Sequence, residues 1–322
     1  MDRESGSCGA RVSTVSPAIP TREVIAVAVN GNCLYGTYHK SSGGTAALRP
    51  GPHESHRVGV LFLNPGFLPR ASPSAVYWAD SFAKAGYPAF RFDLPGLGDS
   101  EGQIPAKMLE YVGSGGYAPV LSHIVRELAG RFGLSGVVIM GLCSGAVSAL
   151  FTAAVAKECV GVVLMDPYFF LHQERMKIRN ELSRWATWTR LGAIASEVYH
   201  RLRHMRQFFR GNRFPSNANL PLLRCWDQLT SAGVPILILK APAVKASGLK
   251  PRVGEFDYIG YLQTSSNANS RVSIEFIEAT NHSFADAAGI LAVRQHTEEW
   301  LAGCFPLVGI GSDETAALDS RH

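Results

Sequence analysis

The sequence lacks the features that would place it in a membrane or in the secretory pathway. In 322 residues there is no run of about 18 apolar residues, the length that a membrane-spanning helix needs. The N-terminal stretch MDRESGSCGARVSTVSP is polar and has no apolar segment of the kind found in secretory signal peptides. We therefore expect a cytoplasmic protein.

Signatures of metal and cofactor binding are also missing. The six cysteines are scattered without CxxC spacing, which argues against a zinc site and against a disulfide framework. The sequence contains no glycine-rich phosphate loop, no cluster of metal ligands and no recognisable nucleic-acid-binding module. We therefore expect reduced thiols, no metal, no cofactor and no nucleic-acid partner.

The chain has enough apolar residues to form one large core. Hydrophobic residues make up 46% of it and charged residues 18%, a balance that excludes a disordered protein. The net charge of +5 is unevenly distributed, because residues 174–213 contain ten Lys or Arg and only three Glu. This basic segment is interpreted either as a solvated helical face or as a surface for an acidic partner, an acidic ligand or a membrane.

Strand-like and helical segments alternate along most of the chain, which indicates a mostly parallel sheet with helices on both faces. Residues 168–232 interrupt this order and are mostly helical in pattern. The predicted divisions are a flexible tail (1–20), a core (21–167), an inserted helical cap (168–232), the rest of the core (233–305) and a tail (306–322). The predicted strands are Glu23–Val29, Leu34–His39, Val58–Leu63, Pro88–Phe92, Gly136–Met140, Gly161–Met165, Val234–Lys240 and Val272–Glu278, and the main helices are Ser74–Ala85, 117–133, Ala146–Lys157 and 287–303.

A strand-to-helix turn carries the first candidate for chemistry. The strand GVVIM continues directly into GLCSGA at residues 141–146. Small residues two positions before and after a nucleophile are typical of a nucleophile elbow, because they let strand and helix approach without a Cβ clash. Gly141 and Gly145 flank Cys143 in this way, whereas Ser144 as nucleophile would have a leucine on one side. We predict Cys143 as the nucleophile and keep two alternatives, Ser144 or an inert buried thiol.

A base and an acid are expected near this turn. His282 follows the last predicted strand, in the loop that brings a general base to the nucleophile of an elbow. Two carboxylates are candidates for orienting it. Asp166 ends the strand VVLM, and Asp257 lies beyond a long loop. Asp166 is preferred because a rigid strand end holds a histidine better than a loop does.

Backbone N–H groups are expected to stabilise the negative charge that forms during acyl transfer. The N–H groups of Ser144 and of Phe67, in the segment NPGF (64–67) after the third strand, are predicted to form this oxyanion hole.

These motifs together resemble the α/β-hydrolase superfamily across residues 22–305. The segment RFDLPGLGDSEG (91–102) is similar to its D-x-x-G-x-G-x-S turn, which the resemblance makes structural and not catalytic. With the GLCSGA elbow and the NHSF segment (281–284), the order of motifs is similar to exosortase-associated bacterial hydrolases. The segment VVLMDPY (162–168) resembles thioesterases of polyketide and peptide synthases, whose catalytic acid ends that strand, which implies the same role for Asp166.

The expected function is acyl-group hydrolysis or transfer through an acyl-enzyme on Cys143, with a Cys-His-Asp triad acting on a thioester or ester of a long or bulky acyl chain. Coenzyme A or an acyl carrier protein is a candidate carrier of the acyl substrate. Two further readings remain open: a binding protein without catalysis, and a serine esterase acting through Ser144. Aromatic side chains of the cap are either substrate contacts or the cap's own core: Trp185, Trp188, Phe208 and Phe209.

Overall fold

The computed structural model describes residues 21–41, 57–171, 214, 217–242, 258–265, 271–278 and 280–307. In these ranges eight strands and seven helices follow one another in the order of the sequence. They are β1 (Arg22–Val29), β2 (Asn32–His39), β3 (Val58–Leu63), α1 (Pro73–Lys84), β4 (Ala89–Phe92), α2 (Met108–Gly113), α3 (Ala118–Phe132), β5 (Gly136–Leu142), α4 (Ser144–Ala153), β6 (Cys159–Met165), α5 (Leu220–Ser231), β7 (Ile236–Lys240), α6 (Tyr258–Ser265), β8 (Val272–Phe276) and α7 (Ala287–Cys304).

The strands form one sheet in the order β1-β2-β4-β3-β5-β6-β7-β8. Strands β1 and β2 pair antiparallel, and β2 also runs antiparallel to β4, whereas β3 to β8 are mutually parallel. The chain moves from β3 outward to β4 and then returns to the other side of β3 to form β5. Ligands of open α/β sheets bind beyond the carboxyl ends of strands at such a switch point. The ends of β3 and β5 are therefore the place to look for a site.

Side chains that alternate along the central strands fill two separate cores. Val60 and Phe62 of β3 pack with α1 and α7 on one face, where Trp78 and Leu301 are fully buried. Leu61 of β3 packs on the other face with helices α3, α4 and α5. Period-two alternation directs successive residues of one strand to opposite faces, so β3, β5 and β6, which are covered on both faces, are apolar throughout.

The predicted mostly parallel sheet with helices on both faces is confirmed, and the differences are at element ends and in two short helices. Helix α4 begins at Ser144, two residues earlier than predicted, because the Cys143 carbonyl already accepts N–H groups from Ala146 and Val147. Two short helices, α2 and α6, have no counterpart in the sequence prediction.

Helix α5 lies inside the segment predicted as the cap, yet it packs on the core. Leu222 and Trp226 of α5 are fully buried in the cluster that also contains α4. The entry and exit of the insertion lie side by side, since the Leu171 N–H donates to the Asn217 carbonyl at 2.7 Å. The cap itself stays a prediction, because residues 172–213 lie outside the described ranges. No helix in those ranges is both long and apolar enough to cross a membrane.

Candidate active site

Cys143 occupies a sharp turn between β5 and α4. Its backbone has φ 55° and ψ −114°, in the region that costs a non-glycine residue about 1–3 kcal/mol. Both flanking glycines are sterically required. A Cβ on Gly145 would lie 2.7 Å from the Asn64 carbonyl oxygen, and one on Gly141 would lie 2.7 Å from the Ala146 nitrogen. The local sequence thus specifies the turn that presents the Cys143 side chain.

The backbone on both sides fixes the half-buried Cys143 side chain at the carboxyl edge of the sheet. Its N–H donates to the Met165 carbonyl of the neighbouring strand at 2.9 Å. Its carbonyl accepts the first hydrogen bonds of helix α4, so the Cys143 sulfur lies at the N-terminus of a ten-residue helix. The positive end of the helix dipole stabilises negative charge at this position.

Ser144, the alternative nucleophile, has a different environment. Its side chain is buried, with 1% relative exposure, and its hydroxyl oxygen accepts the Gly66 N–H at 2.9 Å. This hydrogen bond ties the loop after β3 to the first turn of α4. The serine side chain therefore holds two segments of the site together, and the neighbouring cysteine is the more accessible of the two.

The two predicted oxyanion donors lie in the segments that this bond joins. Within the described ranges, the N–H groups of Phe67 and Ser144 donate to no acceptor. Phe67 follows Gly66, and its side chain is 63% exposed. Both N–H groups thus remain available to a ligand at the carboxyl ends of β3 and β5.

His282 is carried by a tight turn after β8. The Phe284 N–H donates to the Asn281 carbonyl at 3.0 Å, and Phe284 is fully buried with a positive φ of 49°. The Thr280 hydroxyl donates to the Asp286 carboxylate at 2.6 Å, and Asp286 also caps α7. The turn is therefore anchored on both sides of the histidine.

The His282 ring contacts both other members of the predicted triad. Its Nδ1 donates to Oδ2 of Asp166, and it interacts electrostatically with the side chain of Cys143. The hydrogen bond to Asp166 and then the interaction with Cys143 raise the pKa of His282 to about 10, although burial acts in the opposite direction. His282 is therefore an imidazolium at neutral pH, which stabilises negative charge on the sulfur.

Asp166 follows β6 directly and is 8% exposed. Its φ of 45° is positive, and its N–H donates to the Leu239 carbonyl of β7 at 2.8 Å. Burial by itself would raise the pKa of Asp166, but the bonds to His282 and Lys240 outweigh it and hold the pKa below its ordinary value. The carboxylate is therefore ionised wherever the imidazolium is present.

Sequence reasoning missed two side chains of the site. Lys240, the last residue of β7, donates from Nζ to Oδ1 of Asp166. Tyr168 is half-buried two residues after Asp166, and its pKa is raised first by burial and then by the charge of Cys143. Lys240 could have been found from its position at the end of the predicted strand ILILK. Tyr168 could have been found from its position just after the predicted acid.

The remaining predicted site residues lie outside the described ranges. These are the alternative acid Asp257 and the cap aromatics Trp185, Trp188, Phe208 and Phe209, so their roles stay predictions.

Apolar side chains are exposed on the loop that carries Phe67 and on the helix that packs against it. Gly66 packs against helix α2, where a Cβ on it would lie 3.2 Å from the Met108 sulfur. Phe67 is exposed on this loop, and Leu109 and Tyr111 are exposed on α2. We call these three exposed side chains the apolar rim.

Comparison with known proteins supports the architecture described above. A model of the alpha/beta hydrolase family matches residues 60–292. No curated protein shows significant similarity in sequence. Among solved structures, a Pyrococcus furiosus esterase aligns over 89% of this chain and 92% of its own, with a TM-score of 0.56 and 13% identity.

Two further solved structures share the architecture. A dienelactone hydrolase from Anabaena variabilis aligns over 89% of this chain and all of its own length, with a TM-score of 0.53 and 16% identity. Est1E from Butyrivibrio proteoclasticus, bound to ferulic acid, aligns over 87% of this chain and 98% of its own, with a TM-score of 0.53 and 12% identity. At these identities the likeness shows the fold alone, and it confirms the predicted α/β-hydrolase fold.

Proposed function

The chain belongs to the alpha/beta hydrolase family, and from this premise we propose that it hydrolyses or transfers acyl groups through an acyl-thioester on Cys143. His282 is the proton carrier of the reaction and Asp166 orients it. The backbone N–H groups of Phe67 and Ser144 hold the oxyanion of the tetrahedral intermediate. Esters and thioesters are the proposed substrates.

The observation that carries this proposal is the hydrogen bond from His282 to Asp166, together with the electrostatic interaction between His282 and Cys143. Because Nδ1 is bonded to the carboxylate, Nε2 is the nitrogen that remains for the sulfur. A nucleophile, a base and an orienting carboxylate in one line are the arrangement that activates a nucleophile for acyl transfer. The strained backbone of Cys143 adds to this support, since strain of this kind concentrates at functional sites.

The proposed reaction begins from a thiolate on Cys143 and an imidazolium on His282. The thiolate attacks the acyl carbon, and the carbonyl oxygen becomes an oxyanion held by the two N–H groups. The C–S or C–O bond to the leaving group then breaks, and the leaving group takes the Nε2 proton of His282. Water or another acceptor then gives its proton to His282 and attacks the acyl-thioester, which releases the product and restores the ion pair.

Several features support a substrate with an apolar acyl group in a thioester or ester. The side chains of the apolar rim are exposed on the loop after β3 and on helix α2, which packs against Gly66 of that loop. The resemblance of VVLMDPY to synthase thioesterases favours thioester substrates, with coenzyme A or an acyl carrier protein as carrier. The names of the solved relatives include an esterase and a dienelactone hydrolase, which supports ester substrates of the same chemistry.

The test is direct detection of the acyl-enzyme. The protein is incubated with acetyl-, octanoyl- and palmitoyl-coenzyme A, quenched in acid, digested and analysed by mass spectrometry. We expect an acyl mass increase on the peptide that contains Cys143, no increase in Cys143→Ala, and much slower formation in His282→Ala. Cys33→Ala is the matched control, because it removes another half-buried free thiol and should keep the adduct.

Other results would favour the alternative functions. An adduct on Ser144 that persists in Cys143→Ala would identify a serine esterase. If no thioester in the panel is consumed and no adduct forms, the proposed acyl transfer from thioesters fails and a binding role is favoured.

A further inference from the structure

The carboxylate of Asp166 lies between two positively charged groups. Its Oδ2 accepts from His282 Nδ1, and its Oδ1 accepts from Lys240 Nζ. The Asp166 side chain is 10% exposed and that of Lys240 is 27% exposed. Each oxygen of this largely buried carboxylate therefore has its own charged donor.

The backbone brings Lys240 to this place independently of its side chain. Strands β6 and β7 are paired in parallel with Met165 opposite Leu239, so the next residue of each strand lies at the same edge. The Lys240 carbonyl accepts the Ile277 N–H at 2.9 Å. These backbone bonds remain when the side chain is replaced, so a variant at this position tests the ammonium group.

We propose that Lys240 is a positioning residue that orients the Asp166 carboxylate and weakens its hold on the proton of His282. The proposal deepens the function proposed above and rests on it. An ammonium group on Oδ1 fixes the rotation of the carboxylate, so that Oδ2 points at the imidazole. It also neutralises part of the carboxylate charge, so that His282 releases its proton to a leaving group more readily.

The direction of the effect follows from the groups that face one another. Asp166 is contacted by His282 and Lys240, and His282 is contacted by Asp166 and Cys143. Tyr168 is in electrostatic contact with Cys143. Without the ammonium, the full charge of Asp166 acts on the imidazolium, and His282 loses its proton at higher pH. An imidazolium that is a weaker acid delivers its proton to the leaving group more slowly.

The test compares Lys240→Met with Lys240→Arg. Lys84→Met is the matched control, because Lys84 is an exposed lysine in the last turn of α1. The titration of His282 is followed by ¹⁵N NMR of histidine-labelled protein, with its signal assigned by His282→Ala. In Lys240→Met we expect the midpoint to rise by about one pH unit. In Lys240→Arg and Lys84→Met we expect the wild-type midpoint.

Steady-state kinetics provide the second readout. We expect kcat of Lys240→Met to fall about tenfold, with KM nearly unchanged, because proton transfer and not binding is affected. Lys240→Arg should recover most of the rate, since a guanidinium keeps the charge. If Lys240→Met fails to fold, Lys240→Gln tests the charge alone, because its amide still donates to Oδ1.

Two results would overturn the proposal. One is a His282 midpoint in Lys240→Met, or in its glutamine substitute, equal to that of the wild type. The other is an equal shift in the methionine and arginine variants. The NMR titration does not require turnover. Absence of an acyl adduct on Cys143 would therefore reject the catalytic proposal, while the titration would still decide whether Lys240 acts on His282.

Discussion

Replacing Gly145 with alanine places a methyl group against the backbone of β3. The new Cβ would lie 2.7 Å from the Asn64 carbonyl oxygen and nearer still to that of Leu63. Favourable contacts of carbon begin at about 3.5 Å. Both obstacles are backbone atoms, so no side chain can rotate away and either α4 or the end of β3 must move. Overpacking of this kind costs about 1–3 kcal/mol of unfolding free energy.

The same displacement moves the candidate nucleophile. A shift of about 1 Å in a reacting group lowers the rate of a positioned reaction by about 100-fold. We therefore expect Gly145→Ala to unfold at lower urea concentration and to form the acyl adduct on Cys143 about two orders of magnitude more slowly. Unfolding is followed by tryptophan fluorescence, because Trp78 and Trp226 are fully buried.

Gly130 provides the matched control. It lies in the last turn of α3, and a Cβ there would have no heavy atom within 4 Å. Gly130→Ala should therefore stabilise the protein by about 1 kcal/mol through helix propensity and leave acylation unchanged. Equal urea midpoints and equal acylation rates for Gly145→Ala and the wild type would refute the steric account of the elbow.

Three further predictions concern other groups of the site and its support. The pKa of His282 is raised from its ordinary 6.5 to about 10 in the folded protein, so the residue contributes stability below pH 6.5 that is lost as pH rises towards 10. The difference in unfolding free energy between wild type and His282→Ala, measured in urea, should therefore shrink over this range. A constant difference would contradict this. Ser144→Ala should lose about 1–3 kcal/mol of unfolding free energy, because the Gly66 N–H loses its acceptor, yet it should keep the acyl adduct on Cys143. Loss of the adduct in a folded variant would count against Cys143 as the nucleophile. Asn219→Ala should lose about 2 kcal/mol of unfolding free energy, because the fully buried amide both caps α5 and donates to the Gly113 carbonyl at 2.8 Å. An unchanged midpoint in chemical denaturation would contradict this.

The features that sequence reasoning predicted well depend on short-range constraints. The elbow is specified by two glycines within five residues, because each must lack a Cβ where strand and helix cross. The eight strands were found from continuous or alternating apolar runs, since burial on both faces requires them. The fold followed from the order of these elements.

The features that were missed depend on distant pairings. Lys240 meets Asp166 across 74 residues, and Ser144 meets Gly66 across 78 residues, so neither contact leaves a local pattern. Sequence reasoning treated Ser144 only as a rival nucleophile and a backbone donor, because a hydroxyl side chain carries no sign of its acceptor role. The short helix α2 was missed for a related reason, since six residues provide too few turns for a helical period.

In the proposed reaction, the anchoring of His282 to helix α7 makes activity depend on the local stability of that helix. Asp286 caps α7 through the Gly289 N–H and also accepts the Thr280 hydroxyl that precedes His282. Helix α7 can open in a partial unfolding event at a lower cost than the whole sheet, as peripheral elements generally do. Each such opening would release the turn that carries the histidine while the nucleophile stays in place. The fraction of time for which the molecule is competent is then set by the opening equilibrium of this one helix, well before the sheet itself unfolds.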